Sequence, residues 1–208
     1  MMDYTIRHLS NDEEDSKFAS RMMIRAAYGF YEALFSSSSL KTILDFYTGV
    51  YKCQSNNFRQ NTFVLTVGNE KVGFAEVDFE DSVKKMPDVK DFVKTFGIKD
   101  ICKLLLLKRV IFFSIPRSEA YLHYLAVEEK YKGQGYGTTL LKKVEKEAVS
   151  RQCNKIFLLT YPSNTRAIKF YERHGYRAVG KPRTGYGLLP LLTNTPAVIR
   201  YEKQLSLQ

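Results

Sequence analysis

Residues Tyr121–Val127 have the sequence Tyr-Leu-His-Tyr-Leu-Ala-Val, and Glu128–Leu141 continue with Glu-Glu-Lys-Tyr-Lys-Gly-Gln-Gly-Tyr-Gly-Thr-Thr-Leu-Leu. The apolar first run predicts a β-strand, and the closing leucines begin a pattern of helical spacing. Gly133, Gly135 and Gly137 lie in the turn between them. Glycines let consecutive backbone N–H groups point at an anion, and a helix N-terminus adds its dipole. The stretch therefore predicts a phosphate-binding strand, turn and helix.

The spacing of these glycines excludes two common phosphate-binding loops. A dinucleotide-binding loop needs Gly or Ala where this chain has Thr138, and a Walker A loop needs Gly-Lys-Ser/Thr, which the sequence lacks. A second motif lies further along, because Asn164–Tyr171 reads Asn-Thr-Arg-Ala-Ile-Lys-Phe-Tyr and is followed by Gly175 and Tyr176. Taken singly, each motif is commonly only a turn or a packing pattern. The two in this order are far more specific.

Together the two motifs resemble the GNAT N-acetyltransferase superfamily. Its signatures are Arg/Gln-x-x-Gly-x-Gly/Ala after a strand ending Leu/Ile-Ala-Val, and Asn-x-x-Ala-x-x-x-Tyr before Gly-Phe/Tyr. Lys132 stands where the family usually has Arg or Gln. The strand, loop and helix are also similar to those of the serotonin N-acetyltransferases. The resemblance covers residues 119–180, the expected acetyl-CoA-binding core. It implies an α/β (α+β) protein of the GNAT acyl-CoA N-acyltransferase fold, with a mixed central sheet flanked by helices.

The resemblance further implies an acetyl-CoA-dependent N-acetyltransferase that moves the acetyl group directly from the thioester to a primary amine in a ternary complex. Acetyl-CoA would lie between the strand ending at Val127 and a strand over Ile156–Thr160. Its pyrophosphate would contact the N–H groups of Gln134 through Thr139, and its pantetheine arm would pair with the first strand. Asn164 would hold the pantetheine or cap its helix. The implied cofactor-binding residues are Leu125, Ala126, Val127, Lys132, Gly133, Gln134, Gly135, Tyr136, Gly137, Thr138, Thr139, Asn164, Ala167, Phe170 and Tyr171.

The same resemblance places Tyr171 as the general acid for the departing thiolate. His123 is the leading candidate for the base, because its ordinary pKa of about 6.5 suits proton uptake near neutrality. Strand alternation predicts that Glu119, Tyr121, His123 and Leu125 project from one face. Glu76 and Glu119 are the alternative bases, acting directly or through water. The alternative interpretation is that His123 is a hydrogen-bonded, half-buried strand residue without a catalytic role.

The remaining elements follow from hydrophobic periodicity and turn residues. Residues 81–118 are too long for a hairpin connection and predict a helical insertion before the cofactor-binding strand. We expect one N-acetyltransferase domain over residues 1–208. The predicted strands are Tyr4–Leu9, Phe63–Val67, Val72–Phe79, Tyr121–Val127, Ile156–Thr160, Tyr176–Gly180 and Ala197–Glu202. The predicted helices run from the acidic cluster at Asp12 toward Phe35, over Leu40–Tyr51, over Pro87–Phe96 and Lys99–Phe113 with a break at Gly97, over Gly135–Arg151 and over Asn164–His174.

Composition limits the kind of partner and compartment. The chain has 208 residues and a formal net charge of +10. Residues 130–183 hold 13 basic and three acidic side chains, and the rest of the chain is balanced. The excess therefore lies where an anionic cofactor is expected, where a positive field would steer it. The three cysteines have no metal-ligand spacing, so no metal site is expected. Without a secretory signal or a spanning apolar run, a cytoplasmic protein is expected.

Several partner questions stay open at this level. No motif supports nucleic-acid binding, so none is expected. The aromatic composition favours a small-molecule amine over a protein as the acceptor. The 81–118 segment is a candidate lid, membrane-surface patch or homodimer contact. The alternative function is a non-catalytic module that binds coenzyme A without turnover.

Overall fold

The fold is built on a seven-stranded mixed sheet. The structure is a computed structural model that describes residues 3–82, 84–85, 87–111, 114–184, 187–193 and 196–206. The side chains of residues 28 and 108–111 are not described. The strands are β1 Tyr4–His8, β2 Thr62–Val67, β3 Glu70–Asp78, β4 Glu119–Val127, β5 Lys155–Thr160, β6 Arg177–Arg183 and β7 Val198–Gln204. The helices are α1 Glu13–Ala26, α2 Tyr28–Leu34, α3 Leu40–Lys52, α4 Asn56–Gln60, α5 Val89–Ile111, α6 Tyr136–Ser150, α7 Thr165–Arg173 and α8 Leu188–Leu192.

The strands are ordered β1-β2-β3-β4-β5-β7-β6, and only the β4–β5 pair among them is parallel. In that pair, Glu119 lies opposite Lys155 and Tyr121 lies opposite Phe157. Beyond Tyr121 the two strands are no longer paired, so a gap opens between their C-terminal halves. The predicted mixed sheet flanked by helices is confirmed, and the gap lies where the resemblance places the cofactor.

Two hydrophobic cores cover the two faces of the sheet. One packs α6 against the sheet through side chains such as Leu140, Val144 and Leu122. The other joins α1, α3 and α5 to the opposite face around Phe74 and Phe35. Sheet faces must be covered to bury their apolar side chains, which accounts for helices on both sides.

The first helix begins where the acidic cluster predicts, but it is shorter. The Asp12 side chain caps α1 by accepting a hydrogen bond from the backbone N–H of Asp15 at 2.7 Å. The prediction of one helix to Phe35 is wrong, because Ala27 (φ −133°, ψ 38°) separates α1 from α2. The short helices α4 and α8 were not predicted.

The connection between β3 and β4 contains α5, as the predicted insertion requires. Gly97 has φ 76° and ψ 165°, so the helix is kinked at the residue where the sequence predicts a break. Phe92, Phe96 and Leu107 are buried against the second core, which fixes α5 over the sheet. The predicted end at Phe113 lies outside the described residues. Within the described chain, no helix combines the length and apolarity needed to span a membrane.

Candidate active site

A cleft of about 180 Å³ occupies the gap between β4 and β5. Leu125 lines it from β4, Thr160 lies at the end of β5, and Asn164, Ala167 and Tyr171 contribute from α7 and its cap. The motif residues that are distant in sequence therefore meet because two parallel strands diverge here.

The glycine-rich turn ends at the N-terminus of α6, where Thr138 contacts His174 at the end of α7. Gly133 and Gly135 have φ angles of 81° and 89°, the left-handed region that glycine adopts without strain. α6 begins at Tyr136, and no described side chain caps it. The first N–H groups of a helix lack intrahelical partners, so they are available to a ligand. At the end of the predicted range, the Thr139 N–H donates to the Gly135 carbonyl at 3.1 Å, the first intrahelical bond of α6.

The side chains of the loop mostly serve the fold. Tyr136 is 1% exposed and belongs to the core, so only its backbone can contact a ligand. Lys132 donates to Glu129 at 2.6 Å. A β-carbon on Gly137 would lie 3.6 Å from the Phe170 ring, an ordinary contact distance, so α7 packs over this part of α6. The Thr138 hydroxyl is 3.0 Å from His174 Nε2, and the Gln134 amide donates to the Lys130 carbonyl. Ala126 and Val127 pack in opposite cores.

The helix α7 holds the second motif in place. The Asn164 side chain accepts a hydrogen bond from the Ala167 N–H at 3.2 Å, so it caps the helix, and it also lines the cleft. Tyr171 is buried between Phe170 and Tyr176. Burial raises the pKa of Tyr171 above its usual range, so its hydroxyl keeps its proton at neutral pH. Gly175 has φ 86°, the left-handed conformation that commonly follows the end of a helix.

A β-bulge in β4 changes the predicted side-chain directions. Glu76 pairs with Tyr124, whereas Val77 pairs with Leu122, so His123 is the extra residue. His123 and Tyr124 consequently share one face, and their rings stack at 4.3 Å. The predicted common face for His123 and Leu125 is wrong, since Leu125 packs in the core beneath α6 and Tyr124 in the opposite one.

Four charged or titratable side chains converge beside this bulge. His123 Nδ1 lies 2.9 Å from Asp78 Oδ2 and 3.3 Å from Glu76 Oε1. The Lys84 ammonium is 2.6 Å from Glu76 Oε1 and 2.9 Å from Asp78 Oδ2, and it also contacts His123 Nδ1. The Tyr51 hydroxyl donates to Glu76 Oε2 at 2.8 Å. We call Glu76, Asp78, Lys84 and His123 the acid–lysine cluster.

The cluster sets the protonation of its members. Burial alone would raise the pKa of Glu76, but Lys84 and His123 lower it to about 2, so this carboxylate is ionised at neutral pH. Burial and the Lys84 ammonium lower the pKa of His123, and the contacts with Asp78 and Glu76 outweigh them, so the net shift is upward. Burial lowers the pKa of Lys84, but Glu76 and Asp78 raise it by a larger amount. The net shift is upward, so Lys84 is cationic.

The other predicted base, Glu119, lies at the opposite end of β4. It accepts a hydrogen bond from Arg200 at 2.7 Å and pairs with Lys155 at 3.3 Å. It lines neither the cleft nor the larger cavity described next. Its contacts are those of an ion-paired strand residue.

A second, larger cavity of about 400 Å³ lies on the other side of His123. It is formed mainly by apolar and aromatic side chains of α1, α2, α3 and α5, and the acid–lysine cluster lines it as well. Phe30, Tyr121, His123 and Tyr124 line both this cavity and the cleft. The two spaces therefore adjoin at the β4 bulge.

Sequence reasoning did not find Asp78 or Lys84. A signal for Asp78 is present, because Glu76 and Asp78 are spaced by two in the otherwise apolar run Val72–Phe79 and must share a face. Glu76, Asp78 and His123 offer ligand atoms within 4.8 Å of one another, a set able to hold a metal ion. In this structure the Lys84 ammonium supplies the positive charge among them.

Comparison with known proteins agrees with this architecture. Human N-alpha-acetyltransferase 30 is 34% identical over 76 residues, which are 36% of this chain and 19% of that protein. The chain thus spans about a fifth of that relative. The crystal structure of Ard1 from Thermoplasma volcanium superposes with a TM-score of 0.60 at 16% identity, over 98% of both chains. PaiA N-acetyltransferase from Thermoplasma acidophilum, solved with coenzyme A, gives 0.55 at 16% identity over 98% of this chain and 99% of that one. Residues 24–176 match the family described as Acetyltransferase (GNAT), and with this match over most of its length the chain belongs to the GNAT acetyltransferase family.

Proposed function

We propose that the protein is an acetyl-CoA-dependent N-acetyltransferase that transfers acetyl directly to a primary amine. The observation that carries this proposal is the junction of two spaces at His123 and Tyr124. One space is the cleft between β4 and β5, and the other is the mainly apolar cavity lined by the acid–lysine cluster. A direct transfer needs two adjoining substrate sites with titratable groups between them.

The cofactor fits the cleft by its chemistry. The N–H groups at the start of α6 would bind its pyrophosphate, since a helix N-terminus favours an anion. The part of β4 beyond Tyr121 is not paired with β5, so its backbone groups can pair with the amides of the pantetheine arm. The thioester would then lie near Leu125 and Tyr171, at the end of the cleft that adjoins the cavity.

The bound ammonium first loses one proton and becomes a nucleophilic amine. The amine nitrogen then bonds to the thioester carbonyl carbon, the carbon–sulfur bond breaks, the nitrogen releases a second proton to solvent, and the thiolate gains one. His123 is the proposed acceptor of the amine's proton, with Asp78 and Glu76 holding its Nδ1 side. Tyr171 is the proposed donor to sulfur, because burial keeps its hydroxyl protonated. Glu76 is ionised and bonded to Lys84 and Tyr51, so we assign it to positioning His123.

Two measurements test this function. Calorimetry with acetyl-CoA tests cofactor binding, and release of coenzyme A thiol over a panel of amines tests turnover. Initial rates at varied concentrations of both substrates should give intersecting lines if a ternary complex forms, whereas parallel lines would indicate an acetylated enzyme. Binding without thiol release from any amine would instead support a coenzyme A-binding module. His8→Ala, on exposed β1, is the matched control for His123→Ala.

A further inference from the structure

The apolar and the acidic side chains that line the larger cavity lie in different parts of its wall. Most of its wall is aromatic or aliphatic, including Tyr31, Tyr47, Phe92 and Leu104. Its acidic side chains, Glu76 and Asp78, lie together in the acid–lysine cluster. Burying a charge against apolar side chains is unfavourable without a partner. The cavity therefore suits a ligand with one charged end and an apolar remainder.

The cluster already holds a primary ammonium group. Lys84 places its Nζ between two carboxylates and beside His123, and the same atom lies 5.8 Å from the centre of the Phe58 ring. A lysine side chain is a primary alkylamine, so these contacts are those that an alkylammonium ligand would make. Asp78 also has one buried oxygen, Oδ1, without a hydrogen-bond partner among the described residues. The cluster thus has spare capacity to accept a donor.

The backbone at Lys84 is held independently of its side chain. The neighbouring Lys85 N–H donates to Gln54 Oε1 at 2.9 Å, and Gln54 Nε2 donates to the Lys85 carbonyl at 2.9 Å. The Lys84 side chain is 27% exposed, in a segment outside helices and strands. Rotation of the side chain can therefore vacate the cluster without unfolding its anchor.

We propose that the cavity is the acceptor site for a compact, apolar primary monoamine, and that Lys84 occupies the subsite of its ammonium group in the free protein. This inference rests on the proposed function. The substrate's ammonium binds Glu76 and Asp78 beside His123, and its hydrocarbon part fills the aromatic wall. A volume of about 400 Å³ is in the usual range for a small ligand. Polyamines and aminoglycosides would bury further charges against apolar side chains, so they are excluded.

Binding in the absence of acetyl-CoA tests this inference separately from catalysis. Calorimetry on the wild type compares 2-phenylethylamine with 2-phenylethanol and with spermidine. We expect the monoamine to bind at least about tenfold more tightly than the alcohol, since a hydrogen bond to a charged group is worth more than a neutral one. Equal affinity for amine and alcohol, or tighter binding of spermidine, would overturn the proposal. Failure of acetyl transfer alone would contradict the proposed function and leave these binding results standing.

Lys84 is tested by substitution and by labelling. Lys84→Met removes the internal occupant, so the monoamine should bind about tenfold more tightly than to wild type if Lys84 fills the subsite about nine-tenths of the time. Lys94→Met, on the exposed face of α5, should leave the affinity unchanged. If Lys84→Met fails to fold, wild-type protein can be labelled with an amine-reactive acetyl ester and mapped by mass spectrometry. Because the free monoamine also consumes the ester, a short pulse is used and the labelling of Lys84 is expressed relative to that of Lys94. This ratio should rise several-fold with bound monoamine. Weaker binding to Lys84→Met, or labelling of Lys84 that stays equal or falls, would show that Lys84 is not displaced.

Discussion

Glu76→Gln is the substitution whose effect follows most directly from the structure. Glu76 is 2% exposed and bonds to Lys84 and Tyr51. Its pKa is about 2 in the folded protein, against its ordinary 4.5. One pKa unit corresponds to about 1.4 kcal/mol, so ionisation of Glu76 adds about 3 kcal/mol to the free energy of unfolding at neutral pH. Glutamine keeps the shape and the acceptor oxygen but removes the charge, so it should lose about that amount.

The direction in which the stability difference changes with pH follows from the lowered pKa of Glu76. A carboxylate with a lowered pKa contributes fully above its unfolded value, and the contribution fades as pH falls toward the folded value. The difference between wild type and Glu76→Gln should therefore fall from about 3 kcal/mol at pH 7 to about 1 kcal/mol at pH 3. Urea titrations at pH 7, 5 and 3 measure it. Glu70→Gln is the matched control, because Glu70 lies on the same strand but is exposed. A loss below about 1 kcal/mol at pH 7, or a loss independent of pH, would refute the assignment of a buried, ionised Glu76.

Four further predictions concern the proposed catalytic groups and the loop. His123→Ala should lower kcat/KM by about 100-fold and flatten the acidic limb of its pH profile, which His8→Ala should leave unchanged. Because Asp78 and Glu76 raise the pKa of His123, Glu76→Gln should move that limb to lower pH. Tyr171→Phe should keep coenzyme A affinity by calorimetry and lower kcat by about 100-fold. Gly135→Ala should lose about 1 kcal/mol of stability through its positive φ and weaken coenzyme A binding, whereas Gly49→Ala, in the open interior of α3, should be neutral or stabilising.

Each of these has a contrary outcome. An unchanged pH profile in His123→Ala would remove His123 from proton transfer. Preserved turnover in Tyr171→Phe would mean that the thiolate receives its proton from another group. Equal effects of the two glycine substitutions on stability would show that the Gly135 backbone conformation is not needed in solution.

The sequence predicted the elements whose signals are local. The acidic start of α1 near Asp12, the break at Gly97 and the end of α7 before Gly175 all depend on a few neighbouring residues, and the structure has each of them. The break at Ala27 has no such signal at the residue itself, because alanine favours helix. Lys84 could not be predicted either, since it lies in an irregular segment and reaches Glu76 and Asp78 only through the tertiary fold.

The local electric field is likewise not given by counting charges along the sequence. Residues 130–183 carry the whole net excess, but several of their cations pair with acids from elsewhere in the sequence. Lys155 contacts Glu119 at 3.3 Å and Glu202 at 3.6 Å, and Arg151 lies 3.7 Å from Asp81. These pairs reduce the field that the sequence count implies. The steering of an anionic cofactor therefore depends on the cations that stay exposed, such as Lys169 and Arg173, which line one surface depression.

The β4 bulge explains how one strand serves both proposed substrate sites. In a regular strand His123 and Tyr124 would point to opposite faces, and Leu125 would return to the face of His123. The extra residue lets His123 reach Asp78 while the Tyr124 hydroxyl meets the Tyr31 hydroxyl at 2.6 Å, both on the side of the aromatic cavity. It also turns Leu125 toward the opposite core. Beyond Tyr121, β4 continues beside the cleft with its backbone unpaired on the β5 side. A bulge adds curvature as well as changing side-chain direction. The divergence from β5 and the placement of His123 thus occur within a few residues of each other, which is where a thioester and an amine would have to meet.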